Sequence, residues 1–149
     1  MGFRERQHQK LHDRTAEFLR PTLLPGETIR GVTYGMARRR WWLGLEMLIG
    51  AFASFATTYY ALVLTDQRLI MARLMRRAAR PRDVVWAEPH SAIAVDRFKR
   101  GRMWMLLYLR RVDDGQTIRF RAQRSGWEAT ARVTEAADVL RRARAGLPG

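Results

Sequence analysis

The stretch TTYYALVLTDQRLIM, Thr57 to Met71, decides how this chain is read. The residues before it, WWLGLEMLIGAFASFA, are apolar as well, so Trp41 to Leu64 admits one membrane-spanning helix ending at Thr65. The side chains argue for two elements instead. Residues 57–64 and 68–74 are dense in Tyr, Val, Leu and Ile, and Thr65-Asp66-Gln67 supplies turn chemistry between them, which predicts a β-hairpin. If Thr57 opens a strand, the apolar helix runs only from about Trp41 to Ala56, short of the roughly 20 residues a span needs.

Working outward, residues 5–20 are rich in helix formers, with Leu11, Thr15, Phe18 and Leu19 at helical spacing and Pro21 as a stop. Leu23-Leu24-Pro25-Gly26 reads as a turn, and Glu27 to Tyr34 as a first strand. Beyond the hairpin, strands are expected at Asp83 to Trp86, Ala92 to Phe98, Met103 to Arg110 and Thr117 to Arg121. In the last of these Ile118 and Phe120 alternate with Arg119 and Arg121, the pattern of a strand buried on one face. Ser125-Gly126-Trp127-Glu128 has the spacing of a capping box. The helix it opens, about residues 126–145, carries an apolar stripe of Ala129, Val133, Ala136, Ala137 and Leu140. The expected organisation is an N-terminal helix in residues 1–22 and one domain over 23–149, with an apolar insert at about 41–56.

At 149 residues the chain suits one core. Its 28 Lys and Arg against 14 Asp and Glu give a formal charge of +14 and a pI near 11.6, which calls for an anionic partner. Only Lys10 and Lys99 are lysines, so a genomic preference for arginine codons is the competing account of that surplus. With no cysteine there are no disulfides, thiolate metal sites or Cys nucleophiles. MGFRERQHQKLHDR is too polar for a secretory signal, and Arg6 stands where myristoylation needs Ser or Thr, so the expected location is cytoplasmic.

Seven short strands followed by one amphipathic helix, with Leu64-Thr65-Asp66-Gln67-Arg68-Leu69-Ile70 preceded by Pro25-Gly26-Glu27, resembles the bacterial pleckstrin-homology-like (PH-like) domain proteins over about residues 24–145. The resemblance implies a mainly β fold: a bent, seven-stranded antiparallel barrel capped by the C-terminal helix, binding through loops at its open end. In lipid-binding relatives, basic residues of the first two strands and their loop grip a phosphoinositide. The matching loop here is Arg38-Arg39-Arg40 followed by the apolar insert, without a full headgroup motif. Phosphoinositide specificity is therefore not carried over, and fold alone does not set function.

If connections alternate between two rims, the first, third and fifth share one. They carry Arg38, Arg39 and Arg40; Arg76, Arg77, Arg80 and Arg82; and Lys99, Arg100 and Arg102. The opposite rim carries Asp66, Glu88, His90, Asp113 and Asp114. Trp41 and Trp42 beside three arginines resemble an interfacial aromatic belt. Leu45, Leu48, Ile49 and Phe52 would insert below it, with Trp42, Glu46, Gly50 and Ser54 as a narrow polar stripe. Three placements of residues 41–56 stay open: in lipid, against the barrel or a partner subunit, or across the bilayer.

No catalytic constellation is legible. His8 and His12 lie one helical turn apart, but Gln9 replaces the Glu of a zincin motif and no third ligand follows. Asp113-Asp114-Gly115 is a turn, Ser125 lacks a nucleophile elbow, and Walker and Rossmann sequences are absent. The expectation is a non-enzymatic module with no metal and no cofactor, docking reversibly on anionic phospholipid at the inner face of a membrane. The alternatives are a protein adaptor or homo-oligomer that uses the apolar insert, and a nucleic-acid binder that uses the basic rim.

Overall fold

The computed structural model describes residues 3–38, 57–75, 80–123 and 126–147. Helix α1 (Phe3–Leu19) runs into a 3-10 turn (Arg20–Thr22) and then a single seven-stranded antiparallel sheet. The strands are β1 (Ile29–Arg38), β2 (Thr57–Thr65), β3 (Arg68–Leu74), β4 (Pro81–Pro89), β5 (Ile93–Arg100), β6 (Trp104–Arg111) and β7 (Thr117–Gln123). Helix α2 (Gly126–Arg144) follows. Every expected strand and the expected N- and C-terminal helices are present; β1, β4 and β7 are longer than the sequence signals, and the other elements agree in length to within one residue. Ser125 of the expected capping box and the apolar insert at 41–56 lie outside the described residues.

The strand order is β4-β3-β2-β1-β7-β6-β5, so the two edges, β4 and β5, are consecutive in the chain and joined by the 3-10 turn His90–Ala92. Strand β1 is the seam. It pairs with β2 along its length, from Ile29↔Thr65 to Arg38↔Thr57, but meets β7 only at Met36↔Arg121 and Ala37↔Phe120. The sheet therefore bends at β1 into a partly open barrel. Gly35 makes the crossing possible, because a Cβ there would lie 2.6 Å from both the Arg121 carbonyl oxygen and the Phe120 ring.

Inside the bend lies the main core: Leu62, Leu64, Leu69, Met71, Trp86, Ile93, Met105, Leu107, Leu109 and Phe120, closed by Val133, Ala136, Ala137 and Leu140 of α2. The expected apolar stripe of α2 is the face that does this. Where β7 leaves β1, α2 takes over its polar partners: Arg132 Nη1 donates to the Val32 carbonyl at 3.0 Å, and Arg30 pairs with Glu135 at 2.8 Å.

A second apolar cluster covers the outside of β1–β4. Val32, Ala61, Val63, Ile70, Ala72 and Leu74 pack there beneath Leu19 and Phe18 of α1. Neighbouring residues of the hairpin thus alternate between two cores, Leu62 and Leu64 inward, Ala61 and Val63 outward. That is why 61–64 and 69–72 are apolar without a break: these parts of the hairpin are covered on both faces.

Candidate anion-binding surface

Strands β6 and β7 have one covered face, and their burial alternates along the chain. In β6 the odd positions Met105, Leu107 and Leu109 are buried while Trp104, Leu106, Tyr108 and Arg110 are half-exposed. Cross-strand register brings Lys99, Leu106 and Arg121 side by side, and likewise Arg97, Tyr108 and Arg119. Directly opposed residues share a face, so the outer surface of this half is a lattice of cations interleaved with aromatic rings. The Arg121 guanidinium lies 4.2 Å from the Trp104 ring centroid and that of Arg119 lies 5.5 Å from Tyr108.

At one end of this face the β5–β6 turn curls over a concavity of about 410 Å³. Lys99, Arg100, Arg102, Arg119 and Arg121 line it around Trp104, and none of its lining residues is acidic. Gly101 closes the turn through its N–H to the Trp104 carbonyl at 2.8 Å; a Cβ at Gly101 would stand 2.8 Å from that same oxygen. Arg100 is held by a 2.6 Å hydrogen bond to the Thr134 hydroxyl of α2 and lies 5.9 Å from the Phe98 ring.

The expected site residues divide accordingly. Arg39, Arg40, Trp41, Trp42, Leu45, Leu48, Ile49, Phe52, Arg76 and Arg77 lie outside the described residues, and of Arg38 only the backbone, at the end of β1, is described. Arg80 and Arg82 are exposed beside the third connection, which the Met75 N–H closes onto the Arg80 carbonyl at 2.8 Å. Lys99, Arg100 and Arg102 belong to the concavity. Sorting loops by strict alternation holds within β1–β4 and within β5–β7 but does not pass the β4–β5 corner. Seven strictly alternating strands would leave β1 and β7 parallel, whereas they pair antiparallel. The cations of the fifth connection are instead placed with Arg119 and Arg121, which the sequence reading had as the outward half of a strand pattern and did not count. Trp104 was missed too. The available signal was the alternation in β6 and β7, read for both faces at once.

Carboxylates gather elsewhere. Near the β6–β7 turn, Arg111 pairs with Glu88 at 3.3 Å, with Asp113 at 3.3 Å and with Asp114, and lies 5.8 Å from the Trp86 ring. The Arg111 guanidinium beside it holds the Asp114 carboxyl well below the usual carboxylate range. The mildly acidic residues expected there are thus largely occupied by one arginine. Among the described residues no group of three or more His, Asp or Glu is arranged to hold a metal ion, and no helix is long and apolar enough to cross a membrane.

The segments carrying the family resemblance form a structural lock. Pro25-Gly26 makes a turn with Gly26 at φ +76°, which presents Glu27 to the β2–β3 hairpin. Arg68 grips Glu27 with two bonds, Nε to Oε1 at 3.0 Å and Nη2 to Oε2 at 2.7 Å, and Thr65 donates to Oε1 at 2.6 Å. The Leu24 N–H donates to Oε2 at 2.7 Å, and Asp66 Oδ1 accepts from the Thr28 N–H at 2.9 Å. These residues fasten the start of β1 to the hairpin. No protein-family model, curated protein or solved structure matches the chain.

Proposed function

We propose that the chain is a non-enzymatic module of PH-like architecture that docks reversibly on anionic membrane surfaces at the cytoplasmic face. The bent seven-stranded sheet, its end closed by α2, supports the architectural part. The observation that carries the functional part is segregation of charge. Glu135, Glu27, Asp83, Asp96 and Glu88 are engaged in ion pairs with Arg30, Arg68, Arg73, Arg110 and Arg111, while Arg80 and Arg82 stand exposed beside the third connection, at the end of the sheet where β1 delivers Arg38.

Attraction to anionic lipid is worth about 1 kcal/mol per cation near the surface, so a handful of such residues is enough for reversible docking. Arg38-Arg39-Arg40 would add to it, with Trp41 and Trp42 as interfacial anchors and Leu45, Leu48, Ile49 and Phe52 as the inserting side chains. Sedimentation with vesicles tests this. The protein should pellet with phosphatidylglycerol-containing vesicles at about 0.15 M salt and remain in the supernatant with phosphatidylcholine alone. Equal recovery in both supernatants overturns the reading.

A further inference from the structure

We propose that the concavity on the outer face of β5–β7 binds a compact group carrying two or more phosphates. This goes beyond membrane docking, because it assigns a discrete site to Arg119, Arg121 and Trp104 as well as to Lys99 and Arg102. The first argument is charge. Five cations line about 410 Å³ with no carboxylate among the lining residues, a volume typical of small-ligand sites; the Arg100 guanidinium is turned toward Thr134 of α2, so Lys99, Arg102, Arg119 and Arg121 are the set that faces a ligand. On the same face Arg110 is neutralised by Asp96 at 3.0 Å. The fold thus supplies a carboxylate to one arginine of this surface and none to the concavity.

Preorganisation is the second argument. A guanidinium stacked on a ring keeps its N–H edges free in the plane and gives up less rotamer freedom when it binds phosphate. Arg121 on Trp104 and Arg119 beside Tyr108 are held this way. The third argument is span. Lys99 and Arg121 stand on strands whose backbones are separated by β6, about 10 Å apart, and with Arg119 further along β7 and Arg102 in the turn they form a cationic set broader and more highly charged than a single phosphate needs. A di- or triphosphate matches that set. Stacked nucleobases are a poorer occupant, since Arg121 already lies over the Trp104 ring that would carry them.

The chemistry is shared by a soluble polyphosphate and by a diphosphate lipid headgroup, and two arms separate these sources. In the first, calorimetric titration of the full chain with inorganic tripolyphosphate at about 0.15 M salt should give saturable one-to-one binding, at least about tenfold tighter than orthophosphate. The double variant Arg119→Gln/Arg121→Gln should lose about tenfold or more, whereas Arg141→Gln, on the far end of α2, should stay within about twofold. Circular dichroism checks that each variant is folded, and Arg119→Gln alone, at an exposed position, serves if the double variant is not. In the second arm, farnesyl diphosphate is added to phosphatidylglycerol vesicles. A gain in vesicle binding that tripolyphosphate competes away assigns the lipid source; titration without that gain assigns the soluble one. Absence of saturable binding, or equal weakening by Arg141→Gln, overturns the site while leaving vesicle docking to stand or fall separately. Tighter one-to-one binding of a short single-stranded RNA, with tripolyphosphate ineffective as competitor, also overturns it.

Discussion

Glu27, part of the segment that carries the resemblance, is a structural residue: it joins the start of β1 to the β2–β3 hairpin. Its side chain is fully covered, yet it is ionised, because the Arg68 guanidinium outweighs the cost of burial and brings its pKa down to about 2 from 4.5. A carboxyl depressed in the folded state contributes stability that is present above its unfolded value and lost as pH falls through its folded one. The contribution of Glu27 is therefore whole above pH 4.5 and disappears between there and about pH 2. Replacing Glu27 by Gln leaves the Arg68 charge without its counterion and should cost about 3 kcal/mol at neutral pH, read as a shift in the urea midpoint. The deficit relative to the parent should shrink as both are acidified toward pH 2. A deficit that stays constant across that window would show that lost hydrogen bonds, not the ion pair, account for it.

A second residue-scale pairing joins α1 to the sheet. The Thr15 hydroxyl donates to the Leu11 carbonyl at 2.8 Å, so the bond at 3.2 Å to Tyr34 has the phenol as donor. Burial pushes the Tyr34 phenol up to about 12. Its neutral form is thus favoured in the folded protein, a contribution whole below pH 10 and lost as pH rises toward 12.

At the scale of elements, the chain separates into strands with two covered faces and strands with one, and this division was legible in part. The continuous apolar run of 57–64 and 68–74 and the turn at Thr65-Asp66 identified the hairpin. The alternation of Ile118 and Phe120 with arginine identified β7. What pattern alone did not convey is why the two halves differ, because the cover over β1–β4 comes from α1, a helix of weak amphipathicity. Among its described side chains, Thr15 and Leu19 are the fully buried ones, Thr15 bonded to Tyr34 of β1 and Leu19 packed in the outer cluster. Nor did local pattern convey the β4–β5 corner, since an unpaired junction leaves no periodicity to read. The same gap explains the site: Lys99 and Arg121 are 22 positions apart in sequence and meet only through the register of β6. A prediction follows for α1. Leu19→Ala should destabilise by about 3 kcal/mol, while Lys10→Ala, on the exposed side, should stay within about 0.5 kcal/mol. Loss below about 1 kcal/mol at Leu19, measured by denaturant unfolding, would mean that α1 does not cover the sheet in solution.

At the scale of the whole molecule the question is whether +14 acts as a sum or as a pattern. A genomic preference for arginine would spread cations without regard to place, and adhesion to anionic surfaces would then follow net charge alone. Placement argues otherwise, since Asp83, Glu88, Asp96, Asp113, Asp114 and Glu135 each sit against an arginine, which leaves exposed cations beside the third connection and on the β5–β7 face as well as on the two helices. Two charge-matched variants separate the possibilities. Arg80→Gln/Arg82→Gln removes two exposed cations beside the third connection; Arg141→Gln/Arg142→Gln removes two from the last turn of α2. Vesicle affinity at about 0.05 M salt should fall by about 2 kcal/mol for the first pair and by less than about 0.5 kcal/mol for the second. The first pair should also show a weaker dependence on salt, because fewer charges face the bilayer. Equal losses for the two pairs would mean that the charge acts as a sum, and the docking surface would then have to be given up.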